Sequence, residues 1–102
     1  MARKLPTVVA HTSWNVKDIS ALGQLVRNQR AVNAMRIDDA AALCGVSSNM
    51  LSRLENGKPV TLDKLLRVLQ GLGLHLLVLP ARHAHDLEPA LQTLGNPGAQ
   101  PS

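Results

Sequence analysis

Apolar and polar positions alternate at helical spacing through the middle of this chain. Leu22, Leu25, Val26 and Gln29 fall at i, i+3, i+4 and i+7, which predicts a helix from about Ile19 to Val32 with Asp18 as its cap. A shorter helix is predicted over Ile37 to Cys44. Its Asp38 and Asp39 fall in the first turn, where negative charge offsets the helix dipole. Ala40, Ala41 and Ala42 are small enough to admit a neighbouring helix, and Gly45 permits a sharp turn. Ser47 then caps a third helix that Asn56-Gly57 stops, because glycine takes the left-handed conformation without steric cost. A fourth helix, capped by Thr61, is predicted from about Leu62 to Leu72. Leu62, Leu65, Leu66, Leu69 and Leu72 form its buried stripe, Lys64 and Arg67 face water, and Gly71 and Gly73 weaken and end it.

After Gly73 the pattern changes. Leu74, His75, Leu76, Leu77, Val78 and Leu79, closed by Pro80, read as a strand. A lone strand leaves its N–H and C=O groups unpaired. Three solutions stand: antiparallel pairing with the same strand of a second copy, pairing with Thr7–Ala10, or continuation as helix. Residues 1–17 lack helical periodicity and read as an arm. There Trp14 and Val16 fold against the first helix, and Arg3 and Lys4 are candidates for phosphate contact. Residues 18–80 are the folded unit. Residues 81–102 read as a largely flexible tail with one or two helical turns near Pro89 to Leu94, broken by Gly95-Asn96-Pro97-Gly98.

On its third helix, Ser48, Asn49, Ser52 and Arg53 recur at i, i+1, i+4 and i+5, away from Leu51 and Leu54. A short polar face with one arginine suits the reading of base edges in a groove. Two short helices joined by a glycine turn have the sequence form of a helix-turn-helix. Charge agrees with a polyanionic partner. The 102 residues carry a net charge of +4, and residues 1–80 hold ten Lys or Arg against five Asp or Glu.

Composition narrows the rest. With one Trp and no Phe or Tyr, the core of a single small domain has to be aliphatic. The lone Cys44 reads as part of it. No apolar run approaches the ~20 residues of a membrane span, and Met1-Ala2-Arg3-Lys4 leads into no signal-type segment, so a cytoplasmic location without membrane contact is expected. His83 and His85 have no evident third and fourth metal ligand, and no phosphate-cradling glycine loop or nucleophile set stands out. No cofactor, metal or enzymatic activity is expected.

Leu22-Gly23-Gln24-Leu25-Val26-Arg27, Gly45-Val46-Ser47 and Leu51-Ser52-Arg53-Leu54-Glu55-Asn56-Gly57-Lys58 together resemble the Cro/Xre family of lambda-repressor-like DNA-binding domains, over about residues 18–73. Leu65–Leu69 and Gly73–Pro80 extend the likeness towards HipB-type antitoxins. The resemblance implies a mostly α fold: a helix-turn-helix bundle of four main helices plus a C-terminal β-strand paired between subunits. It further implies a homodimer on a palindromic operator in double-stranded DNA, autoregulation of its operon, and capture of a HipA-type kinase toxin. Arg30 is similar to the first-helix arginine that pairs structurally with the glutamate here numbered Glu55. The chain departs from the family where Arg36 and Ile37 replace the common Ser/Thr-Gln start of the second helix.

Within that frame Ser48, Asn49, Ser52 and Arg53 are the base-reading candidates. Asn49 suits a bidentate contact to adenine, and Arg53 suits guanine or phosphate. Met50 either meets a thymine methyl or packs inside. Arg27, Arg36, Ser47, Lys58 and Lys64 are the phosphate candidates. A stand-alone Xre-type regulator and a protein-interaction adaptor without DNA binding are the alternative readings.

Overall fold

In the computed structural model residues 14–94 are described, and they form five helices. Asp18 has extended backbone geometry and accepts the Ala21 N–H at 2.8 Å, which starts α1 (Ile19–Val32). After a turn through Ala34, α2 (Ile37–Cys44) begins with Asp38 and Asp39 in its first turn and ends on Gly45, left-handed at φ 72°. The Ser47 hydroxyl accepts the Met50 N–H at 3.0 Å to open α3 (Ser48–Glu55), and left-handed Gly57 follows its end. α4 (Leu62–Gly71) and α5 (Ala81–Thr93) complete the order. Thr61 stands at the cap position of α4, but its side chain makes no capping bond. The Thr61 hydroxyl instead donates to the Asp63 carboxylate, which with the Lys64 N–H holds that acid below the usual carboxylate range.

α3 packs on α1 and α2, and α2 packs on α4. Val26 of α1, Ala40, Ala41 and Cys44 of α2, Met50, Leu51 and Leu54 of α3, and Val68, Leu69 and Leu72 at the end of α4 make one aliphatic core. Burying each large side chain there contributes about 1.5–3 kcal/mol. Met50 therefore packs inside, and Cys44 is a core residue whose thiol is pushed up by burial.

Two glycines allow the closest helix approaches. A Cβ on Gly23 would run into the Leu54 carbonyl oxygen and come within 3.1 Å of the Glu55 Cα, so α1 meets the end of α3 backbone to backbone. A Cβ on Gly71 would stand 2.6 Å from the Cys44 sulfur. Gly71 thus does more than weaken α4: it seats that helix on α2. Gln29 adds a tie, its amide donating to the Leu72 carbonyl at 2.9 Å.

Two expectations are corrected, for α4 and for α5. Leu62 and Leu66 lie outside the stripe, 64% and 43% exposed, because the buried face of α4 runs through Leu65, Val68, Leu69 and Leu72, on the side where Gly71 meets α2. Residues 74–80 form no strand in the single chain: Leu74 is half-buried with its N–H bonded to the Leu69 carbonyl, whereas Leu76, Leu77, Val78 and Leu79 are exposed. Unpaired N–H and C=O groups give an isolated segment no ladder to join. The helical turns expected near Pro89 extend back to Ala81, and α5 buries none of its residues. Trp14 and Val16 are 37% and 39% exposed, so most of each side chain is covered. The expectations for Thr7–Ala10, for Arg3 and Lys4, and for Gly95–Gly98 lie outside the described residues.

Candidate nucleic-acid interface

The core fixes the orientation of α3. With Met50, Leu51 and Leu54 turned inward, Asn49 and Arg53 are exposed and Ser48 and Ser52 are half-buried beside them. Ser47, at the cap, opens onto the same side.

Between the start of α3, the loop after Gly57 and the start of α4 lies a shallow concavity of about 250 Å³. Ser47, Asn49, Arg53, Pro59, Thr61 and Lys64 line it, with Met50 and Val60 at its apolar floor. Two cations and several neutral hydrogen-bonding groups converge there from two helices. The Arg53 guanidinium donates to the Pro59 carbonyl at 3.1 Å, which leans the side chain over the concavity while other N–H groups stay available.

Other candidates occupy different surroundings. The Ser48 hydroxyl donates to Asp38 Oδ1 at 2.9 Å. Asn56 donates its amide to the Ser52 carbonyl at 2.7 Å and approaches the Ser52 hydroxyl at 3.4 Å. Arg36 and Lys58 are exposed, one at the cap position of α2 and the other just past Gly57. Arg27 lies beside Glu55, Nε to Oε1 4.0 Å, apart from the concavity.

Arg30 is almost fully buried, and its guanidinium donates Nε to Glu55 Oε2 and Nη2 to Glu55 Oε1, each at 2.7 Å. Nη1 goes to the Met35 carbonyl at 3.1 Å. The end of α3 is therefore bolted to α1 and to the turn before α2, so the polar face of α3 is presented on a fixed frame. Among the described residues no helix is long and apolar enough to cross a membrane.

Two contributors escape sequence reasoning. Asp38 explains itself as a first-turn acid, and no spacing rule joins it to Ser48 ten residues on. The Pro59 carbonyl that restrains Arg53 is a backbone atom, and side-chain patterns do not mark it.

Comparison with known proteins finds relatives for the fold. The family described as helix-turn-helix domain matches residues 21–81. The HTH-type transcriptional regulator y4mF of Sinorhizobium fredii (strain NBRC 101917 / NGR234) is 37% identical over 65 residues, spanning 63% of this chain and 86% of that protein. A chain in the structure of a HipA-HipB-O2-O3 complex superposes with a TM-score of 0.60 at 20% identity, covering 67% of this chain and 97% of that one. A chain of a HipB-O4 20mer complex gives 0.61 at 21%, covering 68% and 99%. At such identities the likeness is one of fold. The span matched by the family ends at Ala81, the first residue of α5.

Proposed function

The chain belongs to the helix-turn-helix domain family, and on that premise we propose that it is a sequence-specific DNA-binding repressor that inserts α3 into the major groove. One observation carries the reading. Asn49, Arg53 and Lys64 gather with Ser47 and Thr61 around a single concavity, on a helix whose opposite side is locked into the core by Met50, Leu51 and Leu54. Asn49 supplies the paired donor and acceptor that match adenine, and Arg53 supplies donors for guanine or phosphate. Lys64 and Ser47 lie where a phosphate strand beside the groove would pass, with Arg36 and Lys58 as outlying contacts.

The working unit is a dimer. Leu76, Leu77, Val78 and Leu79 leave a run of exposed apolar side chains on backbone that has no partner segment among the described residues. Antiparallel pairing of this stretch with its copy about a two-fold axis satisfies the backbone and covers the side chains. Two α3 helices then face half-sites about one helical turn, ~34 Å, apart. The fold shared with HipB chains supports a role as the antitoxin of a HipA-type kinase, which co-expression with a kinase-like protein encoded beside it would test by complex formation.

The test of DNA binding uses the DNA upstream of the protein's own reading frame in a mobility-shift assay. Asn49→Ala and Arg53→Ala should each abolish the shifted band while helix content and dimer mass stay as in the wild type. Unaltered binding by both variants overturns the assignment of α3.

A further inference from the structure

Ser47 and Ser48 are neighbours at the start of α3, and their hydroxyls serve different ends. Ser47 caps the helix by accepting the Met50 N–H, so Ser48 is not needed for that task. Its hydroxyl donates to Asp38 Oδ1 at 2.9 Å across the turn between α2 and α3. The direction of that bond is forced, because a carboxylate has no proton to give. With its one proton committed, the half-buried Ser48 oxygen has only lone pairs to offer a further partner.

In the major groove an acceptor matches the N6 amino group of adenine or the N4 amino group of cytosine, and it opposes guanine O6 and thymine O4. A serine without Asp38 has no such bias, since its hydroxyl rotates to donate or accept as the base requires. We infer that Asp38 is a specificity-determining positioning residue, which fixes Ser48 as a hydrogen-bond acceptor so that α3 selects an adenine or cytosine at one position of each half-site. The inference rests on the proposed reading of α3 as the DNA-reading helix.

A second consequence separates this role from a structural one. Asp38 is exposed and lies 2.9 Å from Ser48, so its negative charge opposes a polyanion seated against the start of α3. Removing it tightens binding to non-cognate duplex while discrimination at one base pair falls. Loss of a merely structural contact weakens binding to every sequence alike.

The experiment is binding-site selection from a randomised duplex library with the full-length wild type, Asp38→Ala and Ser48→Ala, each checked for helix content. The wild type should enrich adenine or cytosine at a position where both variants lose the preference by about tenfold, the other positions being unchanged. With wild-type protein alone, that adenine is replaced by purine, or that cytosine by 2-pyrimidinone. Deleting only the amino group in this way should weaken binding by a similar factor. An Asp38→Ala selection identical to the wild type, a guanine or thymine at the position that Ser48→Ala relaxes, or indifference to the missing amino group overturns the inference and leaves the DNA-binding reading intact. A library from which the wild type enriches nothing overturns both.

Discussion

Arg30 grips Glu55 through two hydrogen bonds of 2.7 Å, with both side chains less than a tenth exposed. Removing one member strands the other in the interior, so Arg30→Ala or Glu55→Gln should destabilise the domain by about 3–5 kcal/mol. That is a large share of the ~5–15 kcal/mol that holds a small domain together. The double variant Arg30→Met/Glu55→Leu removes both charges and should be more stable than either single change. Urea denaturation followed by circular dichroism decides this, and additive losses would show that the two groups act independently.

Gly23 and Gly45 predict different costs for the same substitution. Gly23→Ala drives a methyl into the Leu54 carbonyl, and backbone cannot rotate away as a side chain can. Overpacking against backbone that cannot yield lies at or beyond the top of the usual range, about 3 kcal/mol or more, and leaves a net loss of at least about 2 kcal/mol after the ~1 kcal/mol that alanine gains in helix propensity. Gly45→Ala meets open space, and its cost is only the left-handed φ, about 1–2 kcal/mol. Thermal melts should place Gly23→Ala below Gly45→Ala, and the Arg30–Glu55 contact should loosen only in the former.

How much of this could be read beforehand depends on whether a feature is local. Asp18, Ser47, Gly45 and Asn56-Gly57 mark helix ends through bonds to neighbours a few residues away, and the structure has the first four helices within a residue of the expected bounds. The rotation of α4 was not legible. Leu62 and Leu66 fit a leucine stripe as well as Val68 does, and the choice is made by Gly71 against Cys44, a contact between distant parts of the chain. α5 starts earlier than expected because Pro89 reads as the first residue of the helical turns, although proline inside a helix removes one bond without forbidding the turns before it. In the candidate interface the exposure of Asn49 and Arg53 follows from periodicity. The partners Asp38 and Pro59 do not, since they come from elements that only the folded turn brings together.

Thr61 and Asp63 give a pH-dependent signature. The Thr61 hydroxyl, followed by the Lys64 N–H, favours the ionised Asp63 and lowers its folded-state pKa. A depressed carboxylate contributes stability above its unfolded pKa and loses that contribution as the pH falls through the folded value. Thr61→Val removes the first cause, so the Asp63 carboxyl resonance should titrate at higher pH in the variant, and its slight stabilisation should fade sooner on acidification. A carbon-detected NMR titration of both proteins measures the difference.

The exposed run from Leu76 to Leu79 predicts where association is lost. Leu77→Pro removes a backbone donor from the proposed inter-subunit ladder and should shift the protein from dimer to monomer in light scattering, with the helices of residues 19–71 retained. Leu43 is similarly exposed, at 60%, but lies on α2. Leu43→Asp should therefore leave the dimer unchanged, and a dimer that survives Leu77→Pro would place the interface on another surface.

Lys64 and Asn49 line the same concavity but should fail in different ways. A lysine that neutralises one phosphate releases condensed counterions, contributing about −0.9 to the slope of log K against log salt. Lys64→Ala should flatten that slope by about one contact per subunit and weaken binding to all duplexes by a similar factor, because phosphate carries no sequence information. Asn49→Ala should leave the slope unchanged and cost about 1–3 kcal/mol on the preferred site alone. Fluorescence anisotropy at four or five salt concentrations, on the selected duplex and on a scrambled one, separates the two. A salt slope that Lys64→Ala does not change would remove Lys64 from the phosphate contacts, and equal losses on both duplexes with Asn49→Ala would remove Asn49 from base reading.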